Sequence, residues 1–243
     1  MLAGKYAIFI FIVLFVSDII EAAPKSDKGK SVASSSGDKV YARFNASNVQ
    51  GTANVEYQIR SIPSTRFPEA LYLRQTFLAD ETISQYWRLT FTDDEIQKYR
   101  QHWQYLLNQG MSLACFDNED NMVGLAIFYI ATKQGSKGKR GVETDIDDEL
   151  MGFDIFKHHQ VKEILANDGL VVLQNYRRRG IAMQILLAAK HICAENKLEV
   201  AATVITSNSV NKMATDFGFE TNACERFSDD VAMCLRSIKF KRN

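Results

Sequence analysis

The chain has 243 residues, 46% hydrophobic and 24% charged, which suits one globular domain with flanking segments. Lysine plus arginine and aspartate plus glutamate both number 29, so the basic excess needed to neutralise a phosphate backbone is missing; nucleic acid is excluded as a partner on that ground. The four cysteines (Cys115, Cys193, Cys224, Cys234) form no close C-x-x-C pair, which argues against a zinc site or a dense disulfide framework. Buried free thiols are the expectation, and Cys224 and Cys234 can pair if the domain is exported. The histidines (His102, His158, His159, His191) stand in polar, helix-like surroundings that call for neither a catalytic nor a metal role, so no metal is expected.

Residues 7–16 (AIFIFIVLFV) are an unbroken apolar run after Lys5, followed by Ala22 and Ala23, as in a secretory signal peptide. The run is short for the roughly 30 Å hydrocarbon layer. Residues 1–23 are therefore read as a signal peptide or short signal-anchor, with membrane contact only through residues 7–20. Cleavage would send the domain into the secretory pathway. Retention would leave it cytoplasmic, because Lys25, Lys28, Lys30 and Lys39 follow the run while only Lys5 precedes it. Residues 25–38 are Ser, Lys, Gly and Asp with scarcely an apolar side chain, and residues 24–54 are read as a linker. Asn45-Ala46-Ser47 is a glycosylation sequon.

From residue 55 the signals alternate between strand and helix. Residues 55–62 alternate as a strand. Pro68 opens a helical stretch, and Thr92-Asp93-Asp94-Glu95 is a capping box leading into a helix that stops at Gly110. Residues 111–116 and 122–131 read as a hairpin, residues 132–143 as a loop, and residues 148–166 as a helix. Then come the apolar strand 169–173, the helix 180–196 and the strand 200–205, a spacing that implies a parallel crossover. A short helix at 209–216 and strands at 219–225 and 231–238 complete an α/β domain with a mixed sheet, spanning residues 55–240.

Between the strand 169–173 and the helix that follows lies Gln174-Asn175-Tyr176-Arg177-Arg178-Arg179-Gly180-Ile181-Ala182. A helix amino terminus presents unpaired N–H groups and the positive end of the macrodipole, and Gly180 lets an anion approach the main chain. Arg177, Arg178 and Arg179 add charge-assisted donors where a phosphate would sit. The segment resembles the acetyl-CoA signature R/Q-x-x-G-x-G/A of the GNAT superfamily, with Arg177, Gly180 and Ala182 at the defining places; Asp216-Phe217-Gly218-Phe219 is similar to that family's later G-F turn. Arg178 stands where the family commonly has glycine. The resemblance implies the GNAT fold, a mostly antiparallel sheet with one parallel crossover and flanking helices. It also implies acetyl-CoA as co-substrate, held at Arg177 to Ala182, with Val171, Val172 and Leu173 along the pantetheine arm offering donors to the thioester carbonyl.

Phe77-Leu78-Ala79-Asp80-Glu81-Thr82-Ile83 resembles the F-x-x-D-E-P-L stretch of insect-type arylalkylamine N-acetyltransferases, which implies Glu81 as general base. An alkylamine of pKa near 10 is protonated at pH 7, so a carboxylate must take a proton before nitrogen attacks. The hydroxyl pair of those enzymes falls here on Thr206 and Val210, and the tyrosine used as acid elsewhere in the superfamily falls on Ala214. Thr206, Ser207 and Ser209 remain as hydroxyls; Thr206 and Ser207 join Glu81 as the candidate catalytic residues. A small primary amine, with Tyr72, Phe77, Tyr86 and Trp87 available to an apolar pocket or to the core, is the expected acceptor. The alternatives are a protein or polyamine acetyltransferase and an acyl-CoA-binding protein without turnover.

Overall fold

A computed structural model describes residues 39–78, 82–133, 142–144, 152–229 and 231–240. The strands are β1 (Val40–Ser47), β2 (Asn54–Ser61), β3 (Leu113–Phe116), β4 (Met122–Lys133), β5 (Val142–Thr144), β6 (Glu163–Val172), β7 (Val200–Ile205), β8 (Glu220–Arg226) and β9 (Ala232–Lys239). The helices are α1 (Phe67–Thr76), α2 (Thr82–Trp87), α3 (Asp93–Leu107), α4 (Ile155–His159), α5 (Ile181–Asn196) and α6 (Asn208–Asp216). One sheet runs β1-β2-β3-β4-β6-β7-β9-β8, and β5 adds to β4. Neighbours are antiparallel except β6 with β7 and β4 with β5.

Apolar spacing decides which faces are covered. In α5, Ile181, Ile185, Ala188, Ala189 and Ile192 fall on one stripe and bury against Tyr57, Leu113, Val123 and Phe128 on one face of the sheet. On the opposite face α1 and α3 bury Ala70, Leu73, Trp103 and Leu106 against Leu125, Ile127 and Val171. A smaller cluster seats Ile155 and Phe156 of α4 on Ile164, Ala166 and Val200. The capping box forms as expected: the Glu95 N–H donates to Thr92 Oγ1 at 3.3 Å, and the Thr92 N–H to Glu95 Oε2 at 2.7 Å.

Three sequence expectations are corrected. The linker reading of 24–54 is too long, because β1 lies within it and pairs along β2 from Ser47↔Asn54 to Val40↔Arg60. The helix expected over 148–166 shrinks to α4; Gln160 at φ 57° ends it, and residues from Glu163 onward join β4 as strand. Ile164, Leu165 and Ala166 are covered from both sides of the sheet, and a doubly covered strand shows no alternation to distinguish it from a buried helix. The loop expected over 132–143 contains the end of β4 and the start of β5.

Candidate active site: a gap between parallel strands and a basic turn

The crossover β6–α5–β7 makes the two strands parallel, yet their register holds at a single pair, Leu165↔Ala201. Beyond it β6 continues to Val172 along β4, so its other edge faces a gap. The Leu173 N–H donates to the Val123 carbonyl at 3.0 Å, on the β4 side. Amides alternate along a strand, so of Val171, Val172 and Leu173 it is Val172 whose N–H points into the gap. The Val172 carbonyl, on that same edge, accepts from Arg177 Nε at 3.2 Å.

After β6 the chain makes a 3-10 turn over Gln174–Tyr176 and reaches Gly180, the N-cap of α5, at φ 77°. The first-turn amides of α5, beginning at Ile181 and Ala182, have no acceptor within the helix and face outward from its positive end. Several contacts hold this turn. Tyr176 donates its hydroxyl to Asp117 Oδ2 at 2.9 Å and sets its ring edge-on to Tyr57. Burial and the neighbouring Asp117 carboxylate push the Tyr176 phenol up to about 12, so it remains a donor. Arg179 turns its guanidinium inward, donating to the carbonyls of Ser47 (2.7 Å), Asn48 (2.9 Å), Asn175 (2.6 Å) and Arg177 (3.0 Å). It thereby fastens the end of β1 to the turn. Arg177 and Arg178 are exposed, and with Ser47, Gln174, Asn175 and Arg179 they line a cavity of about 360 Å³. Unpaired amides, a positive-φ glycine and clustered guanidinium groups fit a diphosphate.

A bulge shapes the middle of β6. Asn167 pairs with Phe128 and Leu170 with Ala126, so Asp168 and Gly169 together oppose Ile127. Gly169 has φ 89°, and a Cβ there would overlap the Arg74 guanidinium. Arg74 lies over the Trp103 ring at 4.7 Å and reaches Asp168 at 3.8 Å, while His102 Nε2 meets the same carboxylate at 2.9 Å. Burial alone would push Asp168 up; the His102 contact and charge, Arg74 and Trp103 outweigh it and hold the carboxyl below its usual value. The cluster ties α1 and α3 to the strand that carries the gap.

Beyond the carboxyl end of β7 stands an aromatic group. The pairs Ile205↔Cys234 and Arg226↔Ala232 show that the β8–β9 turn projects past the end of β7. Phe227 in that turn packs at 5.2 Å on Trp87 and 6.1 Å on Tyr86 of α2, and Tyr86 donates its hydroxyl to the Phe227 carbonyl at 3.0 Å. Cys224 and Cys234, directly opposed, are joined by a disulfide close to the turn of this hairpin. Phe77 is half-buried with the Arg177 guanidinium 5.6 Å above its ring, whereas Tyr72 is exposed.

Glu81 lies outside the described residues. Thr206 is half-buried immediately after β7, and Ser207 is the N-cap of α6 without a side-chain capping bond. Val210 packs on the α5 core and Ala214 is fully buried within it. Cys115 and Cys193 are buried free thiols; desolvation raises both, Cys193 to about 12, which removes them as nucleophiles.

The family model described as the Acetyltransferase (GNAT) family matches residues 79–219, more than half of the chain and the whole of the gap and turn just described. The chain belongs to the GNAT acetyltransferase family. As a GNAT protein it is an acetyl-CoA-dependent N-acetyltransferase. A putative arylalkylamine N-acetyltransferase 7 from the yellow fever mosquito Aedes aegypti has a similar structure at TM-score 0.73 and 23% identity, covering 86% of this chain and 98% of that one. Arylalkylamine N-acetyltransferase 2 from Aedes aegypti follows the same fold at TM-score 0.63 and 16% identity, over 76% and 99% of the two chains. A polyamine N-acetyltransferase from Drosophila melanogaster that forms N-acetylagmatine does so at TM-score 0.57 and 10% identity, over 76% and 100%. Comparison with curated proteins finds no match.

The basic turn before α5 was legible in the sequence as a glycine and three arginines before a helix. Phe227, Asp168 and the inward turn of Arg179 were not, because each depends on a partner more than 60 positions away.

Proposed function

We propose that this GNAT enzyme moves the acetyl group of acetyl-CoA to the primary amine of a small arylalkylamine. The observation that carries the acceptor class is the Tyr86–Trp87–Phe227 group beyond the end of β7, where an aromatic amine would lie edge or face against the rings. The similarity to mosquito enzymes named for that class supports the same reading.

Arg177 and Arg178 with the amides of Ile181 and Ala182 bind the diphosphate, while Arg179 keeps the turn in shape. Glu81 accepts a proton from the ammonium group, freeing the nitrogen lone pair to attack the thioester carbonyl carbon. The Val172 N–H donates to the carbonyl oxygen as it gains negative charge. When the carbon–sulfur bond breaks, sulfur leaves as thiolate; the attacking nitrogen, which still carries two hydrogens, gives up its second proton, and water or the hydroxyl of Thr206 or Ser207 relays that proton to the sulfur. A thiol pKa near 8.5 makes this protonation undemanding, which accommodates Val210 and Ala214 at the places where relatives hold a donor.

The apolar run at 7–16, the exposed sequon residue Asn45 and the Cys224–Cys234 disulfide together support a domain that matures in the secretory pathway. Steady-state release of CoA from acetyl-CoA, with arylalkylamines, polyamines and an amino-terminal peptide as acceptors, tests the proposal. Turnover with the aromatic amines is the expected result. Exclusive turnover with polyamine or peptide overturns the acceptor class, and CoA binding without turnover on any amine overturns the catalytic reading.

A further inference from the structure

At the far end of β6 from the acyl-CoA turn, three side chains from α4 and β8 converge. His158 Nε2 lies 3.2 Å and His159 Nε2 3.1 Å from the same atom, Glu220 Oε1. One ligand atom from each of the three lies within 4.8 Å of the other two. We propose that His158, His159 and Glu220 form a binding site for one divalent transition-metal ion of the zinc class.

The geometry favours an ion over a plain hydrogen-bonded cluster. Consecutive residues of a helix diverge by about 100°. Here α4 ends immediately after His159, and the two rings stand 4.6 Å apart at 80° to each other, which brings both Nε2 atoms to one carboxylate oxygen. That oxygen also accepts from Ser237 Oγ at 3.1 Å, and the same Oγ lies 2.8 Å from His159 Nε2, so both imidazoles, the hydroxyl and the carboxylate meet at one point. Tetrahedral zinc with nitrogen and oxygen ligands at about 2.0–2.1 Å separates them by roughly 3.3 Å, close to two of the three spacings already present. Two imidazoles and one carboxylate are a donor set suited to zinc, nickel, cobalt or copper, and three protein ligands leave a position for water.

His159 is buried, and its Nε2 lies 2.8 Å from Ser237 Oγ, a contact that an ion at this place would replace. His158 and Glu220 are exposed, which gives an ion its path of entry. The site is separated from the acyl-CoA turn by the whole of β6, about 30 Å at 3.3 Å per residue. Its role is to clamp α4 and the start of β6 to the edge strand β8, not to take part in acetyl transfer.

The test uses the tag-free full chain with zinc(II) in equilibrium dialysis and cobalt(II) as a spectroscopic probe. One zinc per chain is expected, with cobalt bands of low-coordinate type and X-ray absorption showing imidazole ligands. His158→Ala and Glu220→Gln, both at exposed positions, should each weaken zinc binding by about tenfold or more. Zinc should raise the melting temperature of the parent protein and not that of the variants. No retained metal at micromolar free zinc overturns the site, as does unchanged affinity in both variants.

Discussion

Arg178 occupies φ 63°, a left-handed conformation that glycine adopts without cost and a side chain does not. The strain is on the order of 1 kcal/mol, and it sits in the turn proposed to bind the diphosphate. Arg178→Gly is expected to leave stability unchanged or raise it by about 1 kcal/mol, while weakening CoA binding about tenfold through loss of one guanidinium. Thermal unfolding and calorimetric titration with CoA separate the two effects. Gly180 presents the converse case. It has φ 77° and no heavy atom within 4 Å of the place a Cβ would take, so packing does not demand glycine there, and the proposed anion would approach over it. Gly180→Val should therefore fold, lose about 1–3 kcal/mol, and bind CoA at least tenfold more weakly; an unaltered dissociation constant rejects the phosphate-turn assignment. Glu81→Gln should lower turnover by roughly 10²-fold at neutral pH and move the rate profile upward in pH, because only the already neutral amine can then react. An unchanged pH profile would remove Glu81 from the reaction.

Among the elements, β6 carries the most. Its first residues bond β4 and meet β7 at one pair, its centre bulges at Asp168 and Gly169, and its end opens into the gap. The bulge depends on Gly169, since a methyl group there would collide with the buried Arg74 guanidinium and disturb its stacking on Trp103. Gly169→Ala is expected to destabilise the protein by about 2 kcal/mol, read as a shift in denaturant midpoint. Crowding at Gly169 and the charge pairs at Asp168 are features of the folded strand. In the sequence NDGLVV they look like an ordinary turn before a short strand, which is why the sequence points only to the second half of β6. The helix α5, by contrast, is legible almost to its ends, because a single buried stripe over 16 residues has one periodicity to follow.

For the molecule as a whole, acid and reducing conditions probe different joints. The Asp168 carboxyl is depressed in the folded protein, so its contribution is complete above the unfolded value of about 3.9 and disappears as pH falls through the lower folded value. Asp168→Asn should flatten that acid limb of the stability curve; a limb identical to the parent's would assign the acid transition to other carboxylates. Reduction acts at the opposite edge. Opening Cys224–Cys234, which closes a separation of 10 residues, should cost about 2–3 kcal/mol and loosen the hairpin that holds Phe227 against α2. A melting temperature insensitive to reductant would exclude that loss.

Local order was enough to reveal the alternation of strand and helix, the capping box at Thr92, the crossover and the glycine-arginine turn, because each is a pattern within about 20 residues of chain. The GNAT resemblance rested on the same short stretches. Other features were decided only when distant segments met. They include the added strand β1 held by Arg179, the early start of β6, the amide of Val172 turned to the gap, and the meeting of α2 with Phe227. Hydrogen-bond direction, burial from both sides and close approach are properties of pairs of elements, and a single stretch of sequence carries no record of its partner.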